Sequence, residues 1–366
     1  MSVRSSRPKA VAAALVLCLL ACLVSCSSET SDPLVQWKTA LRQQSTAAAT
    51  WVAIGDSITE GQGASSRQAR WVDQTRDNLL TGAGGAGYVP GWYAVYGPDS
   101  AWEPYSGRTG QVVDESFGSL GLRTATLQTG ASQTYEVTGT SAYVYYLTNG
   151  GDLGVSVDDA PVTPIDTSGD YSTANRQQLT FPVPGSHVVT VSALEGPVYV
   201  AGLQGFDGDE ASGVHLYDHA HSGYTSGQFV SAQDELDPVL SLLQPDLVTI
   251  ELGVNDYLSS DPSPDQLQEN LRELVVNLRA ELDEKPPSIV IVVPYRIGGQ
   301  PSGDHSWDDY AAAMAVLAEE TSVGLLDLSS MGTSVPGGYW SSDALHPSDA
   351  GHLEMARLAS DYLRAG

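Results

Sequence analysis

Residues 50–57 read TWVAIGDS, an apolar run that leads directly into Gly55, Asp56 and Ser57. A short apolar run of this kind predicts a buried strand. The turn after a strand, at the carboxyl edge of an α/β sheet, is where reacting side chains are displayed. A Gly-Asp-Ser string alone is most often a simple turn. The stretch therefore predicts an α/β fold and makes Ser57 a candidate nucleophile.

The chain from residue 214 onward alternates predicted strands with predicted helices. Apolar runs lie at 246–252, 288–293 and 325–328. Residues with helical spacing fill the intervals between and after these runs, at 264–285, 307–320 and 348–363. This alternation predicts a parallel sheet with helices on both faces.

Residues 111–213 have a different character. Short β-prone runs such as 142–147 and 187–193 are separated by turn residues, and helical spacing is absent. Strands at this spacing predict an all-β sandwich or jelly roll. A Gly-rich stretch at 82–87 precedes the segment and predicts a turn.

Two further strings carry polar residues of a catalytic type. Gly-Val-Asn-Asp at 253–256 follows a predicted strand, so the Asn255 amide could donate to an oxyanion; a capping or turn role is the ordinary alternative. Asp-Ala-Leu-His-Pro at 343–347 places His346 three residues after Asp343. On a loop, that spacing lets a carboxylate reach the imidazole Nδ1–H while Nε2 faces a serine.

A fourth string, Ser-Gly-Tyr-Thr at 222–225, could present the Gly223 N–H to the same oxyanion. The four strings, in this order, resemble the conserved blocks of the SGNH (GDSL-type) hydrolases. The resemblance covers about 49–110 and 214–366. It implies a flavodoxin-like, three-layer parallel-sheet hydrolase domain, discontinuous in sequence, with 111–213 as an inserted β-sandwich domain.

The resemblance also implies the roles of individual residues. Ser57 would be the nucleophile, His346 the base and Asp343 the group that orients His346. The Ser57 N–H, the Gly223 N–H and the Asn255 side chain would form the oxyanion hole. The family's chemistry needs no metal and no cofactor.

The expected activity is a serine esterase that hydrolyses acyl esters through an acyl-enzyme. Acetyl esters on a cell-wall or environmental polysaccharide are the expected substrates, because some bacterial polysaccharide and peptidoglycan O-acetylesterases of this family carry a similar insertion. A lipase or arylesterase, a polysaccharide O-acetyltransferase and a binding lipoprotein with an inactive catalytic domain are the alternatives.

The first 25 residues have a basic start and a short apolar run, which is typical of an export signal. The Leu-Val-Ser-Cys string at 23–26 resembles a bacterial lipobox, with Cys26 as the lipidated residue. The alternative is an ordinary secretory signal in which Cys26 is incidental. We therefore expect an exported, extracytoplasmic lipoprotein that is anchored in the membrane through Cys26, with residues 26–48 as a tether.

The composition excludes some partners. The formal charge is −27, and three of the 17 basic residues lie in 1–25, which leaves 14 basic against 44 acidic residues, or −30, from residue 26 onward. Nucleic-acid binding requires basic patches, so we expect no nucleic-acid partner. An acylated carbohydrate or small ester is the expected ligand.

Some residues have a candidate role and an ordinary alternative. Tyr257 and Trp340 flank the catalytic strings, so they are candidates for the substrate pocket or for core and rim packing. The run that contains His215, Asp218, His219 and His221 could hold a metal. The alternative is that the run only positions the backbone of the Gly223 string, into which it leads. The aromatic residues between the first string and the insert suit interdomain packing or sugar binding: Trp92, Tyr93, Tyr96, Trp102 and Tyr105.

Overall fold

Five parallel strands form the centre of this computed structural model. Across the sheet they are β14 (Gly324–Asp327), β13 (Ser288–Val293), β12 (Leu247–Glu251), β1 (Ala49–Gly55) and β11 (Val214–Ala220). Every residue of β12 and β13 is buried, as expected for parallel strands covered on both faces. The predicted parallel sheet is therefore confirmed.

The helices pack on this sheet in two groups. One group is formed by α1 (Val35–Gln43), α3 (Trp71–Leu79) and α8 (Asp349–Arg364). The other is formed by α4 (Ser226–Ser231), α6 (Pro264–Glu281) and α7 (Trp307–Thr321). Two short helices, α2 (Ser57–Glu60) and α5 (Val254–Ser259), directly follow strand ends.

Side-chain caps fix where the long helices begin. The hydroxyl of Ser263 accepts a hydrogen bond from the Gln266 N–H at the start of α6, and Pro264 occupies the first turn, where its missing N–H costs nothing. Ser306 and Ser348 cap α7 and α8 in the same way. The caps place these three helices at the positions that the sequence predicts.

The sheet continues into the β-rich part of the chain. Strand β2 (Ala86–Pro90) pairs parallel with β11 and antiparallel with β10 (Val198–Phe206). The order beyond β10 is β6 (Ser132–Leu147), β9 (Ala174–Glu195), β7 (Asp152–Val157) and β8 (Thr163–Asp166). Three short strands complete it: β3 (Gly107–Thr109), β4 (Val112–Glu115) and β5 (Thr124–Leu127). The complete sheet is therefore mixed, with a parallel centre and an antiparallel extension.

The extension has an apolar cluster separate from that of the parallel sheet. Burial alternates along β6, and the pairing of β6 with β9 shifts register between Gly139 and Ser141. A shift of this kind bends the strand, and residues from both halves of β6, such as Tyr135 and Val144, belong to the same cluster. The described residues of 111–213 are therefore mainly β-strand, and their strands hydrogen-bond to the central sheet.

The structure describes residues 32–82, 84–93, 103–170, 173–232, 239–259, 261–296, 304–329, 331 and 338–365. Every helix and strand above lies in one compact unit, Pro33–Gly366. Cys26 and the predicted signal lie outside the described residues. None of the helices within those ranges is long and apolar enough to span a bilayer.

The predicted tether needs a correction in its second half. Helix α1 is part of the folded unit: Trp37 is fully buried, and the Gln44 amide donates to the Leu79 carbonyl at 3.2 Å. An amphipathic helix with a buried indole cannot also act as a free linker. Any tether therefore ends before Leu34, which is itself buried.

Candidate active site

Three adjacent strands bring three of the predicted strings to one edge of the sheet. Strand β1 lies between β11 and β12, and Gly55 at its end pairs with Ala220 on one side and Glu251 on the other. The three strands therefore end level with one another. Ser57, Gly223 and Asn255 each follow within a few residues of these strand ends.

A continuous chain of hydrogen bonds joins Ser57, His346 and Asp343. The Ser57 Oγ lies 2.8 Å from the His346 Nε2, and the His346 Nδ1 lies 2.6 Å from the Asp343 Oδ2. Ser57 and His346 are buried, with 5% and 7% of their surface exposed. This geometry lets an imidazole take the hydroxyl proton while a carboxylate holds the ring.

The pKa values of both partners follow from their surroundings. Partial burial would raise the pKa of Asp343, but hydrogen bonds from the Ser341 hydroxyl, the His346 ring and the N–H groups of His346 and Leu345 lower it well below the ordinary value. Burial lowers the pKa of His346, and the bond to Asp343 opposes that shift. His346 is therefore neutral at neutral pH, as a general base must be.

Contacts with Tyr295 and Trp340 hold the loop that carries His346 in place. The buried Tyr295 hydroxyl donates to the Leu345 carbonyl at 2.8 Å, and the Tyr295 ring packs edge-on against Trp340, with centroids 4.6 Å apart. Trp340 also forms a β-bridge with Pro347. Ala344 has φ of +57°, a left-handed conformation that turns the loop back so that Asp343 faces the ring.

Two backbone N–H groups lie at the strand ends without an acceptor among the described residues. They belong to Ser57, the first residue of α2, and to Gly223. Gly223 is exposed and has φ of +83°, and a Cβ added to it would meet nothing within 4 Å. The space beside the Gly223 Cα is therefore open.

The side chain of Asn255 lies at the same edge but is already hydrogen-bonded. Its Nδ2 donates to the Tyr224 carbonyl at 2.9 Å and to the Asp56 Oδ2 at 3.3 Å. Burial raises the pKa of Asp56 to about 7; the Ile58 N–H opposes that shift, and the charge of Asp256 adds to it. Donation from Asn255 to a substrate would therefore replace the longer bond, to Asp56.

The two predicted pocket residues have different surroundings. Tyr257 is buried, and its ring packs edge-on against Trp307 and Tyr310, with centroids 5.4 and 5.7 Å apart. Trp340 is half-buried beside the His346 loop. The packing of Tyr257 accounts for its burial by itself, and the contact of either residue with substrate stays a prediction.

The histidines before Gly223 are all buried. No group of three or more metal-ligating side chains is found in the described part of the chain. Burial lowers the pKa of His219 to about 3, and neither ring nitrogen of His219 has a hydrogen-bond partner among those residues. His221 instead stacks on Tyr224 at 3.9 Å, and its Nδ1 lies 2.5 Å from the Gly121 carbonyl.

Of the aromatic residues before the insert, Tyr96 and Trp102 lie outside the described ranges.

Sequence reasoning missed a buried charge network behind the site. It contains Glu60, Arg70, Arg123 and Asp218, all fully buried. Arg123 comes from the segment 111–213, whereas the others come from the strand-and-helix part. Fully buried charges are rare without partners, but nothing in the local sequence marks these four as partners.

Comparisons with known proteins match part of this chain to a hydrolase family. Residues 201–353 match the model of the GDSL-like Lipase/Acylhydrolase family. A curated relative, the uncharacterized esterase YxiM of Bacillus subtilis (strain 168), is 27% identical over 146 residues, which are 36% of this chain and 37% of the relative. The chain thus matches little more than a third of that relative's length.

A solved structure described as a peptidoglycan O-acetylesterase in action superposes with a TM-score of 0.67 and 15% identity. The superposition covers 91% of this chain and 95% of that one, so it includes the β-rich segment as well as the parallel sheet. At this identity the likeness establishes the fold. A family two carbohydrate esterase from Cellvibrio japonicus matches with a TM-score of only 0.33 over 69% of this chain and 94% of that one, at 15% identity.

Proposed function

Because this chain belongs to the SGNH (GDSL-type) hydrolase family, we propose that it is a serine esterase with Ser57, His346 and Asp343 as its catalytic residues. The observation that carries this proposal is the hydrogen-bonded chain from the Ser57 Oγ to the Asp343 Oδ2. Nucleophile, base and orienting carboxylate stand in the order that acyl transfer requires.

In the first half of the reaction, the Ser57 Oγ attacks the ester carbonyl carbon and its proton passes to the His346 Nε2. The carbonyl oxygen becomes an oxyanion, which accepts hydrogen bonds from the Ser57 N–H, the Gly223 N–H and the Asn255 Nδ2. His346 then gives the proton to the departing alcohol oxygen. An acyl-Ser57 ester remains.

In the second half, His346 takes a proton from a water molecule that attacks the acyl carbonyl. The same three donors stabilise the second oxyanion, and its collapse returns the proton to the Ser57 Oγ and releases the carboxylic acid. Asp343 stays ionised throughout, because its hydrogen-bond donors hold its pKa well below the ordinary value.

The substrate that we propose is an acetyl ester on a polysaccharide of the cell wall or the environment. The likeness over nearly the whole chain to a structure described as a peptidoglycan O-acetylesterase supports it. We also propose that residues 111–213 are an inserted sandwich domain that contributes to polysaccharide binding. Its separate apolar cluster and the bent antiparallel pair of β6 and β9 support this.

We further propose that the protein is an exported lipoprotein anchored through Cys26. The composition of residues 1–25 and the Leu-Val-Ser-Cys string support this proposal. Labelling of the full chain with a fatty-acid probe in a bacterial host, with Cys26→Ala as the control, tests it. Equal labelling of both proteins would contradict lipidation at Cys26.

The activity is tested with short and long nitrophenyl esters, acetylated xylan and O-acetylated peptidoglycan, each with wild-type protein and Ser57→Ala. We expect turnover of the acetyl substrates by the wild type and a loss of about 10⁴-fold or more in Ser57→Ala. Ser66→Ala is the matched control, because Ser66 is nearby and its hydroxyl caps no helix. Activity on long acyl chains only would favour a lipase, and equal activity of Ser57→Ala would refute the proposal.

A further inference from the structure

Glu60 connects the nucleophile helix to the turn that carries Gly223. Helix α2 has Ser57 as its first residue and Glu60 as its last. Glu60 is fully buried, and its Oε2 accepts a hydrogen bond from the Ser222 N–H at 2.7 Å. Since Gly223 is the next residue, this bond fixes the Gly223 peptide relative to the helix that carries Ser57.

Arg123 holds the other oxygen of the same carboxylate. Its Nη1 donates to the Glu60 Oε1 at 3.0 Å, and its Nη2 donates to the carbonyl and the Oδ1 of Asp218 at 3.2 and 3.1 Å. Arg123 is fully buried and directly precedes β5. The β-rich segment thus supplies a cation that lies behind the proposed oxyanion hole.

The rest of the network limits how far Glu60 can move. Arg70 donates to the Glu60 backbone carbonyl at 3.2 Å and forms an ion pair with Asp218. The ring of Tyr93 faces the guanidinium groups of Arg123 and Arg70, at 4.9 and 5.6 Å from its centroid. A buried carboxylate with both oxygens bound has one stable orientation, because any other would leave a charge unpaired.

The turn around Gly223 is also closed by the Tyr224 N–H, which donates to the His221 carbonyl at 3.2 Å, but Gly223 itself makes no such bond within the described residues. Its added Cβ would touch nothing, and its N–H has no acceptor in the described ranges. The turn is held on one side by the His221 N–H, which donates to the Gly55 carbonyl at 2.9 Å. The hydrogen bond from the Ser222 N–H to Glu60 holds the His221–Ser222 peptide, which directly precedes the peptide that carries the Gly223 N–H.

We propose that Glu60 and Arg123 are positioning residues of the oxyanion hole, which set the separation of the Ser57 and Gly223 N–H groups. This rests on the proposed esterase function and extends it: residues 111–213 are needed for turnover and not only for substrate binding. A donor displaced by about 1 Å costs on the order of 10²-fold in rate. Because the oxyanion is absent from the bound ester and forms only in the tetrahedral intermediates and their transition states, the loss falls on kcat and not on KM.

The test compares Glu60→Gln and Arg123→Lys with the wild type. Glutamine keeps the size of Glu60, but it has only one oxygen and cannot accept from both Ser222 and Arg123. We expect kcat to fall by about 10²-fold with KM nearly unchanged. Lysine keeps the charge of Arg123 but cannot donate to Glu60 and Asp218 from two separate nitrogens. We therefore expect a smaller fall in kcat for Arg123→Lys than for Glu60→Gln.

A second readout separates positioning from general stability. When an alkylboronic acid binds, the Ser57 Oγ adds to boron, the Ser57 proton goes to His346, and a boronate oxygen occupies the oxyanion position. We expect the inhibition constant of butylboronic acid to rise in proportion to the fall in kcat. Gln133→Met is the matched control, because Gln133 is fully buried in the same segment and bonds to Gly91 and Tyr135, away from Glu60. It is expected to lower Tm and to leave kcat and the inhibition constant unchanged.

The outcomes separate the inference from the proposed function. If the wild type and Ser57→Ala hydrolyse esters equally, the proposed function fails and the inference fails with it. If only Ser57→Ala is inactive while folded Glu60→Gln and Arg123→Lys keep the wild-type kcat and inhibition constant, the inference alone is overturned. Failure of both conservative variants to fold would also overturn it, because the network would then serve the fold and not the hole.

Discussion

The parallel strands that carry the active site and the antiparallel strands of residues 111–213 belong to one hydrogen-bonded sheet, but they are stabilised differently. All residues of β12 and β13 are buried, whereas buried and exposed residues alternate along much of β9. Burial on both faces leaves a strand no room to shift, because interiors are close-packed. The antiparallel region keeps one face exposed to water.

Because of this difference, we expect the two regions to contribute differently to the protein. The parallel region places Ser57, Gly223 and Asn255 at its carboxyl edge, and the β-rich region has an exposed surface. They meet at β2 and at the buried pair of Arg123 and Glu60. Variants in the first region are therefore expected to change turnover, and variants at the β2 junction to change stability.

The largest effect is expected for Asp343→Asn. An amide in place of the carboxylate cannot accept from the His346 Nδ1–H in the same way, so the ring loses the tautomer that accepts the Ser57 proton. We expect kcat to fall by about 10⁴-fold, with Tm within a few degrees of wild type because Asp343 is 42% exposed. Steady-state kinetics and thermal unfolding measure both.

Asp349→Asn is the matched control for that variant. Asp349 lies six residues further on and accepts hydrogen bonds from Ser65, at 2.7 Å to both its N–H and its hydroxyl, outside the catalytic chain. A comparable loss of kcat in Asp349→Asn would show that the loss in Asp343→Asn reflects disturbance of the loop.

The catalytic strings could be predicted from sequence because each is local. Ser57 and Asn255 follow apolar runs, and His346 has its partner three residues away, so strand ends and short spacings place them. Gly223 follows a run with three histidines and an aspartate, and the resemblance of its string to the family is what marks it. Arg123 and Glu60 are 63 positions apart and have no shared periodicity, so their contact depends on the tertiary fold. Strand β2 was missed for a related reason: its first residues lie in the Gly-rich stretch at 82–87, where the sequence predicts a turn, and only pairing with β10 and β11 makes it a strand.

Asn255→Ala is expected to have the next largest effect. The variant removes one oxyanion donor and leaves the two backbone donors in place, so kcat should fall by about 10²–10³-fold. Removal of the amide also frees Asp56 and the Tyr224 carbonyl, so binding of butylboronic acid is needed to show that the oxyanion position is affected. Asn78→Ala, remote from the site and bonded to Ser360, should match the wild type. An unchanged inhibition constant in Asn255→Ala would exclude Asn255 from the oxyanion hole.

Gly202→Ala tests the junction between the two regions. A Cβ at Gly202 would lie 2.3 Å from the Val89 carbonyl oxygen and 2.5 Å from the Tyr88 hydroxyl, so β2 and β10 must separate. We expect the free energy of unfolding to fall by about 1–3 kcal/mol, measured by urea denaturation, with kcat unchanged in the folded protein. Gly82→Ala is the control, since nothing lies within 4 Å of its added Cβ. A fall in kcat without a fall in stability would show that β2 acts on the site directly.

The pH dependence of kcat/KM gives the smallest but most specific effect. His346 must be neutral to accept the Ser57 proton, and burial lowers its pKa below the ordinary value of about 6.5. The value of kcat/KM should therefore stay constant as the pH falls through 6.5. Below the pKa of His346 it should fall about tenfold per pH unit. The bond to Asp343 raises that pKa, so its loss in Asp343→Asn should move the acid limb to still lower pH, and a move to higher pH would contradict the arrangement.

Burial raises the pKa of Asp56 to about 7, so Asp56 is a second group that could produce an acid limb. If the limb belongs to His346, Asp56→Asn should keep the acid limb of the wild type.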